Sequence, residues 1–333
     1  MPDLITVFED LETPVAAAAA GLRFIALPIP GDERHRLGKD ENGAPALLVS
    51  VAARSGHGWL APITLEHLAV QHDVACRVSR PDGTTEDGQF TVLRCRSTDP
   101  ALHTYFLRVA GSIVTLLGAT PSHSDVSMAI DRLVELFRAL DAPPQKSVQG
   151  LWAELFLIAR ARDSAALVRA WHKLPGDRFD FSAGGHRIEV KSAVGRVRQH
   201  YFSVEQLRPV AEMRLLIASL FVERAGAGTS LGDLVTQVRT KVSSDAELLL
   251  HVDRIVSLTL GSRWPHGQDE RFDRELAENS LAFFEPATIP QIGSDLPLGV
   301  SEVRFRANLR GVPTVDLRQY IAEGGLFRAT LRP

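Results

Sequence analysis

The spacing of apolar residues divides the chain into a first part rich in strands and a second part in which helices and strands alternate. The segments 46–53 (ALLVSVAA) and 89–97 (QFTVLRCRS) have strand-like patterns and lie between Gly, Pro and Asp turns. A helix is predicted over 124–141, because its apolar residues fall at three- and four-residue steps. The two prolines in 142–146 (APPQK) end a helix and stiffen a connector, so a domain boundary is predicted there.

After this connector, the pattern predicts one helix followed by a series of strands. Ser147 is the expected N-cap of the helix, and Glu154 lies at the edge of its apolar stripe. The segment 214–222 (RLLIASLFV) is apolar almost throughout, which is typical of a central strand that is covered on both faces. The other predicted elements are strands at 178–182, 186–192, 201–204 and 303–309 and helices at 229–242 and 245–256.

Length, composition and charge exclude several classes of protein. The 333 residues, 45% of them hydrophobic, are enough for one large domain or two ordinary ones. No apolar run approaches the ~20 residues that cross a bilayer. Acidic residues precede the small apolar run at 15–20, which is unlike a signal peptide. The net charge of −3 argues against a protein that coats nucleic acid by bulk electrostatics, so any such contact would be a local patch.

Cysteines and histidines give no sign of a structural metal site. Cys76 and Cys95 lack metal-ligand spacing and are expected to be reduced thiols, which predicts a cytoplasmic location. Three loosely spaced histidines do not predict a zinc site: His57, His67 and His72.

The stretch DFSAGGHRIEVKS (180–192) carries the candidate chemistry. Ala-Gly-Gly is a hairpin turn composition, and Glu189 and Lys191 share one face of the second strand, about 7 Å apart. The same turn can bring Asp180 beside Glu189. Because Mg²⁺ prefers carboxylate and carbonyl oxygens, Asp180, Glu189 and the Val190 carbonyl form a candidate ligand set. Lys191 would then orient the attacking water and offset charge on a phosphate.

The polar residues around this stretch have open interpretations. Glu154 could hold an outer water of the ion or bind a second ion. Arg196, Arg198 and His200 are either phosphate contacts or members of a solvated loop. Ser192 makes either a local hydrogen bond, which is favoured, or a phosphate contact. Spacing alone favours a hairpin with a solvated charged face over a metal site, since Glu-x-Lys occurs by chance in many strands.

The order of the elements resembles the core of the PD-(D/E)XK nucleases. That core has a helix with a Glu, a strand with an Asp, a strand with Glu-x-Lys, and then a strand, a helix and a strand. Four segments are similar to a bacterial family of PD-(D/E)XK-motif proteins that is often associated with restriction or phage-defence gene sets: GLWAELFLI (150–158), AWHKLPGDRFDF (170–181), IEVKS (188–192) and FSVEQL (202–207). The resemblance covers most of the chain and is weakest in the first hundred residues.

The resemblance assigns roles to particular residues of this chain. It implies a catalytic triad of Asp180, Glu189 and Lys191 and a helix acid at Glu154. Gln206 matches a polar position after the third strand. The chain departs from the pattern at the residue before Asp180, which is Phe179 and not a proline. The superfamily pattern does not require a proline at this position.

The resemblance also implies a fold, an activity and partners. The expected fold is α/β with a mixed sheet: a β-rich N-terminal domain ending in a helix (1–142), a restriction-endonuclease-like αβββαβ core (147–225), and a helical and β C-terminal extension (226–333). The expected activity is Mg²⁺-dependent endonucleolytic hydrolysis of DNA, with Mn²⁺ able to substitute, in a restriction or phage-defence system with other subunits. The alternative is a catalytically silent nucleic-acid-binding or scaffolding subunit, and cleavage of RNA would use the same site.

Overall fold

A computed structural model gives the fold of residues 3–14, 24–50, 61–79, 84–118, 121–172, 177–208, 213–293 and 297–332. The apolar run at 15–20 and His57 lie outside these described residues. The chain forms two compact units, Met1–Pro143 with Ser243–Pro265 and Pro144–Val242 with His266–Pro333. The first division lies within the APPQK connector, while the three-part division at 1–142, 147–225 and 226–333 stays a prediction.

The first unit combines a six-stranded sheet with helices. Its elements up to the connector are α1 (Leu4–Glu9), β1 (Phe24–Ile29), β2 (Asp32–Asp40), β3 (Pro45–Ser50), β4 (Ile63–Thr64), β5 (Leu68–Ser79), β6 (Thr85–Cys95), α2 (Pro100–Leu117) and α3 (His123–Asp141). The strand order is β1-β2-β3-β6-β5-β4, and one parallel bridge also joins β1 to β5. The strands predicted at 46–53 and 89–97 are β3 and β6, with 51–53 outside the described residues, and the helix predicted at 124–141 is α3.

The remainder of the chain alternates between helices and strands. Its elements are α4 (Val148–Arg160), α5 (Ser164–Ala170), β7 (Phe181–Ala183), β8 (His186–Ala193), β9 (Gln199–Ser203), β10 (Arg214–Phe221), β11 (Arg224–Ser230), α6 (Leu231–Lys241), α7 (Ala246–Leu260), α8 (Trp264–Gly267), β12 (Arg271–Phe272), α9 (Arg274–Ser280), β13 (Ala282–Phe284), β14 (Arg304–Asn308) and α10 (Gly325–Thr330). Short 3-10 helices cover Gly261–Arg263, Pro286–Thr288 and Leu317–Glu323. Helix α7 belongs to the first unit, and most of the other elements belong to the second.

The second unit is built on a four-stranded mixed sheet in the order β13-β10-β8-β7. Strand β8 pairs with β10 in parallel and with β7 in an antiparallel direction. Strand β10 is buried from Leu215 to Leu220, as its unbroken apolar sequence predicts. Ser147 caps α4 by accepting a hydrogen bond from the Gly150 amide, and α4 packs against β8 and α6. The expected α/β fold with a restriction-endonuclease-like core is confirmed.

Strand β9 differs from the expected core in its partner. It pairs with β14, about a hundred residues later in the chain, in a separate two-stranded antiparallel sheet. The segment after β9, from Val204 to Arg208, forms turns, and residues 209–212 lie outside the described part of the chain. Burial explains the pairing, because Phe202 of β9 and Ala307 of β14 belong to one apolar cluster with Phe284 and Ile289.

Two expectations from composition can be compared with the coordinates. Cys76 and Cys95 are buried free thiols. Within the described ranges, no helix combines the length and the hydropathy that crossing a membrane requires.

Candidate metal centre

The β7–β8 hairpin brings Asp180 next to the strand that carries Glu189. Phe181 pairs with Ile188, and continuing this register places Asp180 opposite Glu189. Asp180 lies just before β7, and its Oδ2 atom accepts a hydrogen bond of 2.7 Å from the Val190 amide. Asp180 and Glu189 are only 8% and 4% exposed, so both acids lie inside the protein and not on a solvated face.

Helix α4 supplies a third buried acid, Glu154, which is 5% exposed. Its Oε2 atom accepts a hydrogen bond of 2.7 Å from the Trp171 indole and lies 2.8 Å from His172 Nε2. Burial alone raises the pKa of Glu154, but the His172 hydrogen bond, the charge of Lys146 and the Trp171 indole outweigh it, so the pKa lies below its usual value. Glu154 is therefore held as a carboxylate inside the protein.

His172 completes a group of three metal-ligating side chains that the sequence did not predict. Its backbone has a φ of 37°, a left-handed conformation, and its amide donates to the Asp180 carbonyl over 2.9 Å. Its Nε2 atom lies 3.5 Å from Asp180 Oδ1. One ligand atom each from Glu154, His172 and Asp180 lies within 4.8 Å of the others. This spacing allows all three groups to reach one ion.

The Lys146 amine lies among these ligands. Its Nζ atom is 3.7 Å from Glu154 Oε1, 3.7 Å from Asp180 Oδ1 and 3.0 Å from His172 Nε2. The side chain is 47% exposed, so it has room to move outward. The amine therefore places one positive charge where a divalent ion would bind, and such an ion would have to displace it.

The three acids repel one another. Burial, followed by the charges of Glu154 and Glu189, raises the pKa of Asp180 well above its usual value, against the opposing effects of Lys146 and the Val190 amide. A divalent cation would remove this repulsion, because it favours the charged form of every carboxylate around it.

Glu189 has one oxygen that is occupied and one that is not. Its Oε1 atom lies 2.7 Å from Lys191 Nζ and accepts a hydrogen bond of 2.8 Å from Gln206 Nε2. Its Oε2 atom is buried and has no hydrogen-bond partner among the described residues. A buried carboxylate oxygen without a partner costs free energy, and a metal ion would supply the missing interaction. The residues present therefore fit a divalent ion with oxygen ligands.

The other predicted site residues near the hairpin are placed as follows. Gln206 is fixed by its own turn, because its Oε1 atom accepts from the Ser203 amide over 3.1 Å. Ser192 accepts a hydrogen bond of 2.9 Å from Gln149 of α4, a residue far from it in the chain, and its phosphate contact stays a prediction. Arg196 is exposed, has a φ of 56° and lies 3.6 Å from Glu223. Val190 touches Asp180 through its amide, and the ligand role of its carbonyl stays a prediction.

His200 is buried and Arg198 is half-buried, whereas the sequence left phosphate contacts and a solvated loop as alternatives for both. The Arg198 guanidinium donates to the carbonyl and the hydroxyl of Ser219, each over 2.8 Å, and to the Ser280 carbonyl. His200 is 3% exposed, and its Nε2 atom lies 2.8 Å from Ser219 Oγ. Burial lowers the pKa of Arg198; burial, followed by the charges of Lys191 and Arg198, lowers that of His200 to about 4. Both side chains therefore link the β9 segment to Ser219 of β10, and a phosphate contact for either stays a prediction.

A second acid–histidine group lies in the first unit. Ligand atoms of Glu66, His67 and Asp141 come within 4.8 Å of one another, whereas His72 contacts Thr91. The two acids of this group are exposed, and neither Glu66 nor Asp141 shares the burial of the acids in the second unit. The group therefore carries no metal proposal.

Comparison with known proteins identifies the family. A family described as "Putative PD-(D/E)XK family member, (DUF4420)" matches residues 4–310. The chain belongs to the DUF4420 family. No match was found among curated proteins or among solved structures. The DUF4420 match spans nearly the whole chain, and so includes the hairpin, α4 and the β9–β14 pair.

Replacement of His172 tests its place among the ligands. Imidazole suits transition metals better than Mg²⁺. We expect His172→Ala to weaken Co²⁺ binding by roughly 10–100-fold and Mg²⁺ binding much less. Isothermal titration and the Co²⁺ absorption spectrum measure both. His123→Ala, which removes an exposed imidazole elsewhere, is the control. Equal losses for the two ions would contradict a ligand role for His172.

Replacement of Lys146 tests whether its amine competes with the ion. Lys146→Met removes the charge and keeps the length of the side chain. We expect it to tighten Mn²⁺ binding and to lower the melting temperature of the metal-free protein, because the acids lose their counter-charge. Arg132→Met, which removes an exposed cation paired with Glu247, is the control. Weaker Mn²⁺ binding would show instead that the amine supports the site.

The buried His200 predicts a dependence of stability on pH. Its folded-state pKa of about 4 lies below the usual 6.5, so the unfolded chain takes up the proton first as the pH falls. The contribution of neutral His200 to the free energy of unfolding is fully present above about pH 6.5. It decreases by up to about 3 kcal/mol as the pH falls towards 4. Urea unfolding of the wild type and of His200→Asn over this range measures the difference. A variant with the same slope as the wild type would contradict the assignment.

Proposed function

We propose that this DUF4420 protein is a divalent-metal-dependent nuclease that hydrolyses DNA phosphodiester bonds, with Mg²⁺ as the ion and Mn²⁺ as a substitute. The observation that carries the proposal is the buried Glu189 Oε2 atom, which has no hydrogen-bond partner among the described residues. It belongs to a group of three buried acids that also contains Glu154 and Asp180. Buried acids of this kind need a cation, and nuclease chemistry needs one at the same place.

The proposed metal ligands come from two parts of the chain, the β7–β8 hairpin with the residue before it and the segment that begins with α4. Asp180, Glu189 and Glu154 would hold the ion, His172 would add a nitrogen ligand, and the Val190 carbonyl remains a proposed ligand. When bound, the ion supplies Lewis-acid polarisation of a phosphate oxygen and lowers the pKa of a bound water. The Val190 amide keeps Asp180 in position through its 2.7 Å hydrogen bond.

Lys191 is the residue that acts on the reacting groups. Its amine is held 2.7 Å from Glu189 and 5.4 Å above the Phe202 ring, and its side chain is partly exposed. From there it donates hydrogen bonds to the attacking water and to the phosphate, and it offsets the negative charge of the transition state. Gln206 keeps the Glu189 carboxylate in place.

The reaction exchanges one oxygen on phosphorus for another. The water oxygen forms a bond to phosphorus and gives up a proton to solvent, while the bond to the 3′ oxygen breaks and the 3′ oxygen takes a proton from solvent. The products carry a 5′-phosphate and a 3′-hydroxyl, as in the PD-(D/E)XK resemblance. The proposed setting, a restriction or phage-defence system with other subunits, is supported by that resemblance alone.

Plasmid cleavage tests the proposal. We expect the wild type to nick or linearise plasmid DNA with Mg²⁺ or Mn²⁺ and not with EDTA. Asp180→Asn and Lys191→Met should each lower the rate by roughly 10²–10³-fold, since each removes a charged group that acts in the transition state. Gel analysis measures the rate, and ligation of the products without added kinase shows the 5′-phosphate.

The control is Asp131→Asn, which removes an exposed acid of α3 in the first unit and should leave cleavage unchanged. Cleavage of RNA but not of DNA would support the proposed catalytic site and would replace DNA by RNA as the substrate. DNA binding without cleavage under any metal, also with partner subunits present, would contradict the nuclease and favour the scaffolding alternative.

A further inference from the structure

The β9–β14 pair forms a small sheet with two different faces. Its register pairs Tyr201 with Arg306, Ser203 with Arg304 and Gln199 with Asn308. These six residues form one face, which we call the ribbon face. The opposite face consists of buried or partly buried residues and packs on the apolar cluster of the second unit. The ribbon face is therefore carried on a rigid base.

The ribbon face combines an exposed aromatic ring with positive charge. Tyr201 is 65% exposed, and Arg304 and Arg306 are exposed as well. The strands, QHYFS and RFRAN, contain no Asp or Glu. Arg304 makes no ion pair with any residue in the described ranges, and Arg306 donates to Gln199 Oε1 on the same face. A large exposed ring beside arginines favours a ligand with both an aromatic surface and negative charge.

The ribbon face is joined to the candidate metal centre through β9. Phe202, the neighbour of Tyr201, points to the other side of the strand, where its ring lies 5.4 Å from Lys191 Nζ. The turn after β9 carries Gln206, which holds Glu189. The ribbon face and Lys191 therefore lie on opposite sides of one short strand.

We propose that the ribbon face binds an unpaired stretch of nucleic acid, with a base stacked on Tyr201 and phosphates held by Arg304 and Arg306. The inference rests on the proposed nuclease function and adds the form of its substrate. An unpaired base exposes a face for an aromatic ring, whereas stacked neighbours cover both faces of a base inside a duplex. The arginines supply the sequence-independent part of the binding.

Fluorescence anisotropy in EDTA, which prevents cleavage, tests the inference. The probes are a labelled oligothymidine of about 20 nucleotides and a duplex of equal length. Tyr201→Ala should weaken single-strand binding by about 10-fold and duplex binding by less than about 2-fold, and Tyr201→Phe should restore it. The double variant Arg304→Gln/Arg306→Gln should make the slope of log K against log salt shallower by about 1.4 on the single strand.

The matched control is Arg224→Gln/Arg332→Gln, which removes two exposed arginines elsewhere in the second unit, 76% and 70% exposed. It should bind as the wild type does. Melting temperatures should be unchanged in all variants, since the replaced side chains are exposed.

The outcomes separate the two proposals. If the wild type binds the single strand and the ribbon-face variants bind it equally well, the inference is overturned and the proposed nuclease function is unaffected. Equal losses on single strand and duplex after Tyr201→Ala would overturn the unpaired substrate. A wild type that binds neither probe would overturn the inference, and the nuclease would still stand or fall by the cleavage assay. Selective loss of single-strand binding, in a wild type that cleaves nothing, would support the ribbon face and overturn the nuclease.

Discussion

Repulsion among three buried carboxylates is the constraint on which the second unit depends. Glu154, Asp180 and Glu189 come from a helix, a turn and a strand, and each is less than a tenth exposed. Charges in that environment are stable only with compensation. The protein supplies some through the Lys146 and Lys191 amines, the Trp171 indole and the Val190 amide. The Glu189 Oε2 atom, which has no hydrogen-bond partner among the described residues, lacks such compensation.

The surrounding fold explains how such acids can be held in place. Strand β8 lies between β7 and β10, and Glu189 and Lys191 are paired with Ile217 and Ser219 of β10. The parallel partner β10 is buried for most of its length and is covered by α9 and β13 on its far side. A rigid interior strand fixes the direction of its side chains, which is what a ligand set requires.

Local sequence patterns were sufficient for the hairpin and for β10. Alternation around Gly184 and Gly185 predicted β8 to within one residue, and the unbroken apolar run predicted β10, whereas β7 is Phe181–Ala183 and not the predicted 178–182. The pairing of β9 with β14 could not be predicted, because it joins segments that lie far apart in the chain. Arg198 and His200 resembled loop residues for the same reason: their partners, Ser219 and Ser280, are 19 to 82 positions away. His172 had no local signal beyond its place in the AWHKLPGDRFDF segment, since the bridge between Trp171 and Phe181 and its own amide hydrogen bond bring it to the acids.

Lys146 follows the second proline of the connector by two residues and has its amine among the ligands of the candidate metal centre. Lys146 directly precedes Ser147, the N-cap of α4, so the start of that helix fixes the distance from the lysine backbone to Glu154. A shift of one residue in the position at which α4 begins would carry the amine away from both carboxylates. The N-cap therefore constrains the metal centre as well as the helix, whereas the identity of Gln145, which is exposed, is much less constrained.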